Sequence, residues 1–274
     1  MKKSHLPVFI YGTAWKKQET TKLVEMAIEN GFRAIDTANQ LKHYSEALVG
    51  NALLNLKKKG IDRDDLWLQT KFTSIRGQQD EAPPYDVNAD LTTQVNQSFA
   101  SSLEHLHTDY LDSYLLHGPY NFPSLGKEDL EVWKAIEEKY KSGKVHTIGV
   151  SNMNLEQMKV LVDKAEIKPM MLQNRCYANC GWDKDIRQFC LKNNIQYQGF
   201  SLLTANQNVM EDPEVVSMAT SYSVTPAQII FRFATQIGIL PITGSSNQDR
   251  IILNLSIKNF VLKAHEMSYL ENIV

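Results

Sequence analysis

The 274-residue chain is expected to fold as an α/β protein, a (β/α)8 barrel of the TIM type in a single domain. Three observations predict this. Eight short apolar runs alternate with segments of helical spacing. The length suits one barrel, which takes about 250 residues. No GxGxxG turn follows an early strand, as it would in an open doubly wound sheet.

The apolar runs are 7–12 (PVFIYG), 32–36 (FRAID), 66–71 (LWLQTK), 110–117 (YLDSYLLH), 146–150 (HTIGV), 169–173 (PMMLQ), 195–200 (IQYQGF) and 238–242 (GILPI). Between them, TKLVEMAIENG, YSEALVGNALLNLKKKG and DLEVWKAIEEKYKSG have helical spacing. In the first, Leu23, Met26 and Ala27 fall on one face, with Glu25 and Glu29 off it. Gly31, Gly60 and Gly143 stand just past helical segments, where a left-handed cap is needed. Thr225-Pro226 reads as an N-cap followed by a first-turn proline. The irregular stretch 72–90, FTSIRGQQDEAPPYDVNAD, is too long for an idle connection and is expected to be an active-site loop. With no linker, charge block or repeat, residues 1–274 are read as one domain with short terminal extensions.

Composition excludes several functions. The chain has 29 basic and 31 acidic residues, so it lacks the basic excess of a nucleic-acid binder. No apolar run approaches the ~18 residues of a membrane span. The opening MKKSHLPVFIYGT is too short and broken in its apolar part for a signal peptide. Cys176, Cys180 and Cys190 are then free thiols of a reducing compartment, and a cytoplasmic location is expected. No histidine lies near them in sequence to complete a metal site, so no metal is expected.

In such a barrel the chemistry lies at the C-terminal ends of the strands. Those ends read Gly12-Thr13, Asp36, Lys71, His117, Ser151-Asn152, Gln173-Asn174, Phe200-Ser201 and Thr243-Gly244-Ser245. Three consecutive strands end in an aspartate, a lysine and a histidine. A strand buried on both faces gains nothing from ionisable groups. Asp36 and Lys71, on neighbouring strands, can form an ion pair. A charged lysine lowers the pKa of a nearby phenol, which would make a tyrosine beside it a general acid. His117 can donate a hydrogen bond to a substrate oxygen. The set is suited to protonating a carbonyl oxygen, and a cofactor would have to supply hydride.

The segments GTAW (12–15), GFRAIDTA (31–38), LVGNAL (48–53), LQTK (68–71), LEHLHTDYLDSYLLHGP (103–119), GKVHTIGVSN (143–152), LQN (172–174) and TPAQIIFRFATQ (225–236) resemble those of aldo-keto reductases, in the same order along nearly the whole chain. The resemblance implies a (β/α)8 barrel that binds NADPH without a Rossmann motif and reduces a small carbonyl compound. It implies a catalytic set of Asp36, Tyr44, Lys71 and His117, with Tyr44 as proton donor. Gly12, Thr13 and Asp36 would border the cofactor. Ser151, Asn152 and Gln173 would hold the nicotinamide carboxamide, and Phe200 would stack on the ring. Ser201 and Leu203 would lie along the pyrophosphate, and Ser245, Asn247, Arg250 and Asn254 at the adenosine end.

The chain departs from the family pattern at three places. Tyr44 lies eight residues after Asp36, where many members have five, so the loop NQLKH is longer. Phe200 replaces a tyrosine and keeps its ring face. Gly244 replaces the lysine that often pairs with the 2′-phosphate, which makes NADH use credible beside NADPH. The short ends imply an open pocket and broad selectivity. Trp15, Tyr85, Tyr120 and Phe122 are the aromatics expected to line it. The chain is expected to act as a monomer or small homo-oligomer. Two other readings stay open: a Schiff-base aldolase using Lys71, and a barrel that binds the cofactor as a redox sensor or regulatory subunit without turnover.

Overall fold

Eight parallel strands close in sequence order, β1 pairing with both β2 and β8. The computed structural model describes residues 7–78 and 83–273. The strands are β1 (Ile10–Gly12), β2 (Ala34–Asp36), β3 (Trp67–Phe72), β4 (Leu111–Leu116), β5 (Val145–Ser151), β6 (Met171–Arg175), β7 (Gln196–Phe200) and β8 (Leu240–Thr243). The helices are α1 (Thr20–Glu29), α2 (Glu46–Lys58), α3 (Ile75–Gln78), α4 (Leu91–His105), α5 (Lys127–Lys141), α6 (Leu155–Lys164), α7 (Lys184–Lys192), α8 (Gln207–Glu211), α9 (Pro213–Ser221), α10 (Pro226–Gln236), α11 (Gln248–Leu255) and α12 (Ala264–Glu271). Each of the eight apolar runs supplies one strand. The first strand begins at Ile10 rather than Pro7, because proline has no N–H to give a ladder, and Val8 is exposed.

The local chemistry behaves as its residue types require. Gly31, Gly60 and Gly143 take φ of +111°, +83° and +75°, ending helices where a Cβ would be strained. Thr225 accepts from the Gln228 N–H and caps α10, with Pro226 in the first turn. In α1 the buried stripe is Leu23, Val24, Ala27 and Ile28, so its centre lies between the expected residues and Met26 sits at its edge.

Two apolar layers result. Outward-facing strand residues and the helices enclose the larger core, with Tyr11, Ile35, Leu68, Tyr114 and Ile148 among its members. Inside the barrel, Ile10, Ala34, Trp67, Leu115, Met171, Leu240 and Ile242 form a separate plug. Strand side chains alternate, so the next inward positions after Ala34, Trp67 and Met171 are Asp36, Gln69 and Gln173. A polar layer therefore lies above the plug, at the mouth of the barrel.

Of the 72–90 stretch, residues 79–82 lie outside the described residues; the rest contains the short α3 and a turn that returns to β3. No helix among the described residues is long and apolar enough to cross a membrane.

Candidate active site

Asp36 ends β2, and the register sets it beside Gln69 of β3. Lys71, two positions on, points into the same space. Its ammonium donates to both Asp36 oxygens at 2.7 Å and to the Thr37 carbonyl at 2.8 Å. Lys71 is fully buried. Burial pulls its pKa down, and the Asp36 charge opposes that pull. Asp36 Oδ1 accepts two further bonds, from Gln69 Nε2 at 2.7 Å and Gln173 Nε2 at 3.0 Å. Gln69 and Gln198 exchange a reciprocal amide pair at 2.9 and 3.0 Å, and Gln173 Nε2 also reaches Gln198 Oε1 at 3.0 Å. One ammonium, one carboxylate and three amides thus form a single network. A buried ion pair is tolerable when its remaining lone pairs are satisfied in this way.

Tyr44 reaches this network because the NQLKH loop folds into a turn. The Tyr44 and His43 N–H groups both donate to the Gln40 carbonyl, at 3.0 and 3.3 Å, which takes up the extra residues. Ser45 then caps α2 by accepting from the Leu48 N–H. Glu46, buried in the first turn, accepts from Thr70 Oγ1 at 2.5 Å and lies 3.3 Å from His105 Nδ1. Thr70 precedes Lys71 on β3, so the helix that follows Tyr44 is fastened to the strand that carries the lysine. The Tyr44 ring centroid lies 5.2 Å from Lys71 Nζ and meets the His117 ring edge-on at 5.8 Å.

The phenol of Tyr44 is pushed up in pKa, first by burial and then by the Asp36 charge. This corrects the expectation that Lys71 would lower it: burial outweighs the ammonium, and the Asp36 carboxylate beside the ammonium adds to the upward push. The result is a tyrosine that keeps its proton, which is what a proton donor requires.

His117 follows β4 and its N–H donates to the Phe72 carbonyl at 2.9 Å. Its Nδ1 lies 2.7 Å from Thr73 Oγ1. Burial, then the charges of Lys71 and His43, hold the ring well below its usual pKa, so it is neutral. The Thr73 hydroxyl is placed to donate to Nδ1, an arrangement that would leave the ring proton on Nε2, where a substrate oxygen could accept it. Asn152 Nδ2 donates to the His117 carbonyl at 2.8 Å and fixes the backbone there.

A cleft of about 750 Å³ rises from this floor. Tyr44, His117, Asp36, Gly12, Ser151, Asn152, Gln173, Phe200, Ser201, Leu203, Ser245, Arg250 and Asn254 line it, and Lys71 lies buried beneath. Thr13 and Asn247 do not line it. The Thr13 hydroxyl donates to the Asp36 carbonyl, and Asn247 caps α11 by accepting from the Arg250 N–H. None of the four expected aromatics is among the lining residues. Tyr85 is buried, packs on Phe72 at 5.6 Å and donates to the Thr73 carbonyl at 2.8 Å. Trp15 is exposed against His43. Tyr120 is packed against the core, and Phe122 borders a neighbouring cleft with Arg175 and Cys180.

Several residues at the site went unread in the sequence. Lys16 lines the cleft and donates to the Gly244 carbonyl. Thr204, Gln207 and Met210 extend the wall beyond β7. Gln69, Gln198 and Thr73 support the floor. A regular inward phase along β3 and β7 could have found the two glutamines.

A nicotinamide dinucleotide suits this cleft chemically. Hydroxyl and amide groups of the kind that can pair with a carboxamide (Ser151, Asn152, Gln173) and an aromatic ring (Phe200) lie on its walls with the Tyr44 floor, and the cleft also presents two cations, Lys16 and Arg250. The volume falls within the ~300–1,000 Å³ of ligand sites. The profile of the aldo/keto reductase family matches residues 9–274.

The chain belongs to the aldo/keto reductase family.

It is thus a member of an oxidoreductase family that acts on small carbonyl compounds and generally uses NAD(P)H. Its relatives include a glyoxal reductase of Bacillus subtilis, 32% identical over 92% of this chain and 83% of the relative. A 9,11-endoperoxide prostaglandin H2 reductase of Trypanosoma cruzi is 29% identical, with coverage of 94% and 85%. An aldo-keto reductase from a deep-sea metagenome of the Medee basin superposes with a TM-score of 0.83 at 28% identity, covering 97% of this chain and 90% of that one.

Proposed function

We propose that this aldo-keto reductase reduces an aldehyde or ketone to an alcohol, with NADPH as the preferred cofactor and Tyr44 as the proton donor. The observation that carries the reading is the Tyr44 ring, packed against Lys71 Nζ at 5.2 Å and His117 at 5.8 Å on the cleft floor. When bound, NADPH supplies the hydride.

The chain's own residues do the rest. Ser151, Asn152 and Gln173 orient the carboxamide, and Phe200 covers the ring. Gln173 Nε2 is engaged by Asp36 and Gln198, so its carbonyl oxygen is the end that accepts from the carboxamide N–H. Ser201 and Leu203 flank the pyrophosphate, and Ser245, Arg250 and Asn254 the adenosine end. His117 Nε2–H donates to the substrate carbonyl oxygen and polarises it. As negative charge develops on that oxygen, the Tyr44 O–H transfers its proton there. An alkoxide is about as basic as hydroxide, so even an up-shifted phenol can protonate it. The same upward shift keeps Tyr44 in its protonated, donor form at neutral pH. We also assign the chain to the cytoplasm, on its three free thiols.

The glyoxal reductase relative points to small aldehydes as the first substrates to test. Tyr44→Phe keeps the ring and removes the proton. Reduction of methylglyoxal, followed at the cofactor's absorbance, should fall by about 10²- to 10⁴-fold while cofactor affinity holds within a few-fold. Undiminished turnover in this variant would refute the assignment.

A further inference from the structure

The cleft carries two cations without counter-ions. Among the described residues, neither Lys16 nor Arg250 has an ion-pair partner. The acid lining the cleft, Asp36, is tied to Lys71 on the floor. Lys16 is half-buried, and its recorded partner is a neutral group, the Gly244 carbonyl. That burial lowers its pKa, the mark of an ammonium that lacks a compensating anion.

The chain holds Lys16 there deliberately. It leaves the β1–α1 connection between Trp15 and Lys17, both with positive φ (+64° and +49°), and the Trp15 N–H anchors the loop to the His43 carbonyl at 2.7 Å. Tyr11 O–H, also from the β1 side, holds the same turn through the Ser245 carbonyl at 2.9 Å. Gly244 makes the approach possible. A Cβ there would stand 2.9 Å from the Gly12 carbonyl oxygen and 3.3 Å from Lys16 Nζ. Any side chain at 244 would have to shift the backbone or displace the lysine. The bare glycine and the seated lysine are therefore one arrangement.

We propose that Lys16 is the cation, acting with Arg250, that pairs with the 2′-phosphate of NADPH in this chain, so that the charge absent at position 244 is supplied from the β1–α1 loop. A phosphate dianion bridged by an ammonium and a bidentate guanidinium satisfies both cations at once. The inference rests on the proposed cofactor reading and deepens it: the chain is NADPH-selective despite Gly244.

The test is binding, read by quenching of intrinsic fluorescence as the purified full chain is titrated with NADPH or NADH. Lys16→Met should weaken NADPH by roughly 10- to 100-fold, the range of a charged hydrogen bond, and NADH by less than about threefold. Lys16→Arg should retain the NADPH preference. Equal losses for both cofactors would assign Lys16 to the shared pyrophosphate and overturn the proposal, as would no loss for either. A second measurement needs no variant. On the wild-type chain, adenosine 2′,5′-bisphosphate should displace NADPH at least about tenfold better than 5′-AMP, and equal displacement would refute the 2′-phosphate site. Should the wild-type chain bind neither NADPH nor NADH, the cofactor reading itself fails, which separates that outcome from a failure of Lys16 alone.

Discussion

The floor of the cleft and its cationic wall are built on different principles. On the floor, Asp36 and Lys71 sit in strands whose register fixes their spacing, two glutamines donate to the carboxylate, and a third ties those two together. On the cationic wall, Lys16, Ser245 and Arg250 sit on loops and a short helix, held by hydrogen bonds that each use a backbone group. The contrast matches the two tasks. Proton transfer demands atoms held within hydrogen-bond reach of one reacting oxygen. Holding a phosphate needs charge, which acts over longer distances and tolerates adjustment.

The sharpest way to break this comparison is Lys71→Met. If the floor is a rigid, fully paired network, removing its cation should cost about 3–5 kcal/mol of stability in guanidinium unfolding. A loss below about 1 kcal/mol would mean that the amides alone satisfy Asp36 and that the floor is as adaptable as the wall. A smaller effect is expected from Gln198→Leu, which strands one face of the Gln69 amide and one N–H of Gln173. It should cost about 1–3 kcal/mol and weaken cofactor binding through the released Gln173 side chain. Unchanged stability and binding would show that the reciprocal amide pair holds nothing in place.

The smallest effect concerns pH. His117 has its folded pKa depressed below the unfolded value near 6.5. Above that value it is neutral in both states and contributes no pH dependence. As pH falls below it, the unfolded chain gains a proton that the folded site refuses, and stability is lost. His105 behaves oppositely. Its pKa is raised by Glu46, so its contribution is present below about 6.5 and fades as pH rises through the folded value. Melting curves of His117→Gln should therefore fall less than those of the wild type between pH 7 and 5, by roughly 2 °C. A steeper fall would place the protonated imidazole in the folded site.

The same contrast explains what could be read from the sequence. Asp36, Lys71 and His117 were legible because ionisable groups have no packing reason to end three consecutive buried strands. Tyr44 was legible from the start of α2, while the turn that brings it inward depends on bonds to the Gln40 carbonyl that no spacing reveals. Gln69 and Gln198 escaped notice because an isolated glutamine in a strand reads as a solvent-facing residue. Lys16 escaped because its partner lies 228 positions away and is a backbone carbonyl. Residue type and loop position do not fix where an aromatic points: Trp15 and Phe122 are exposed, and Tyr85 and Tyr120 pack inward. Tyr85 packs against Phe72.

The reciprocal pair between Gln69 and Gln198 has a consequence for how the molecule comes into being. β3 and β7 stand four strands apart in a ring of eight, at opposite ends of a diameter. The two amides are separated by 129 residues and meet across the interior. Neither half of the chain can form this bond alone, because one amide comes from each half. The polar layer that carries the chemistry is thus a shared product of the two halves of the barrel.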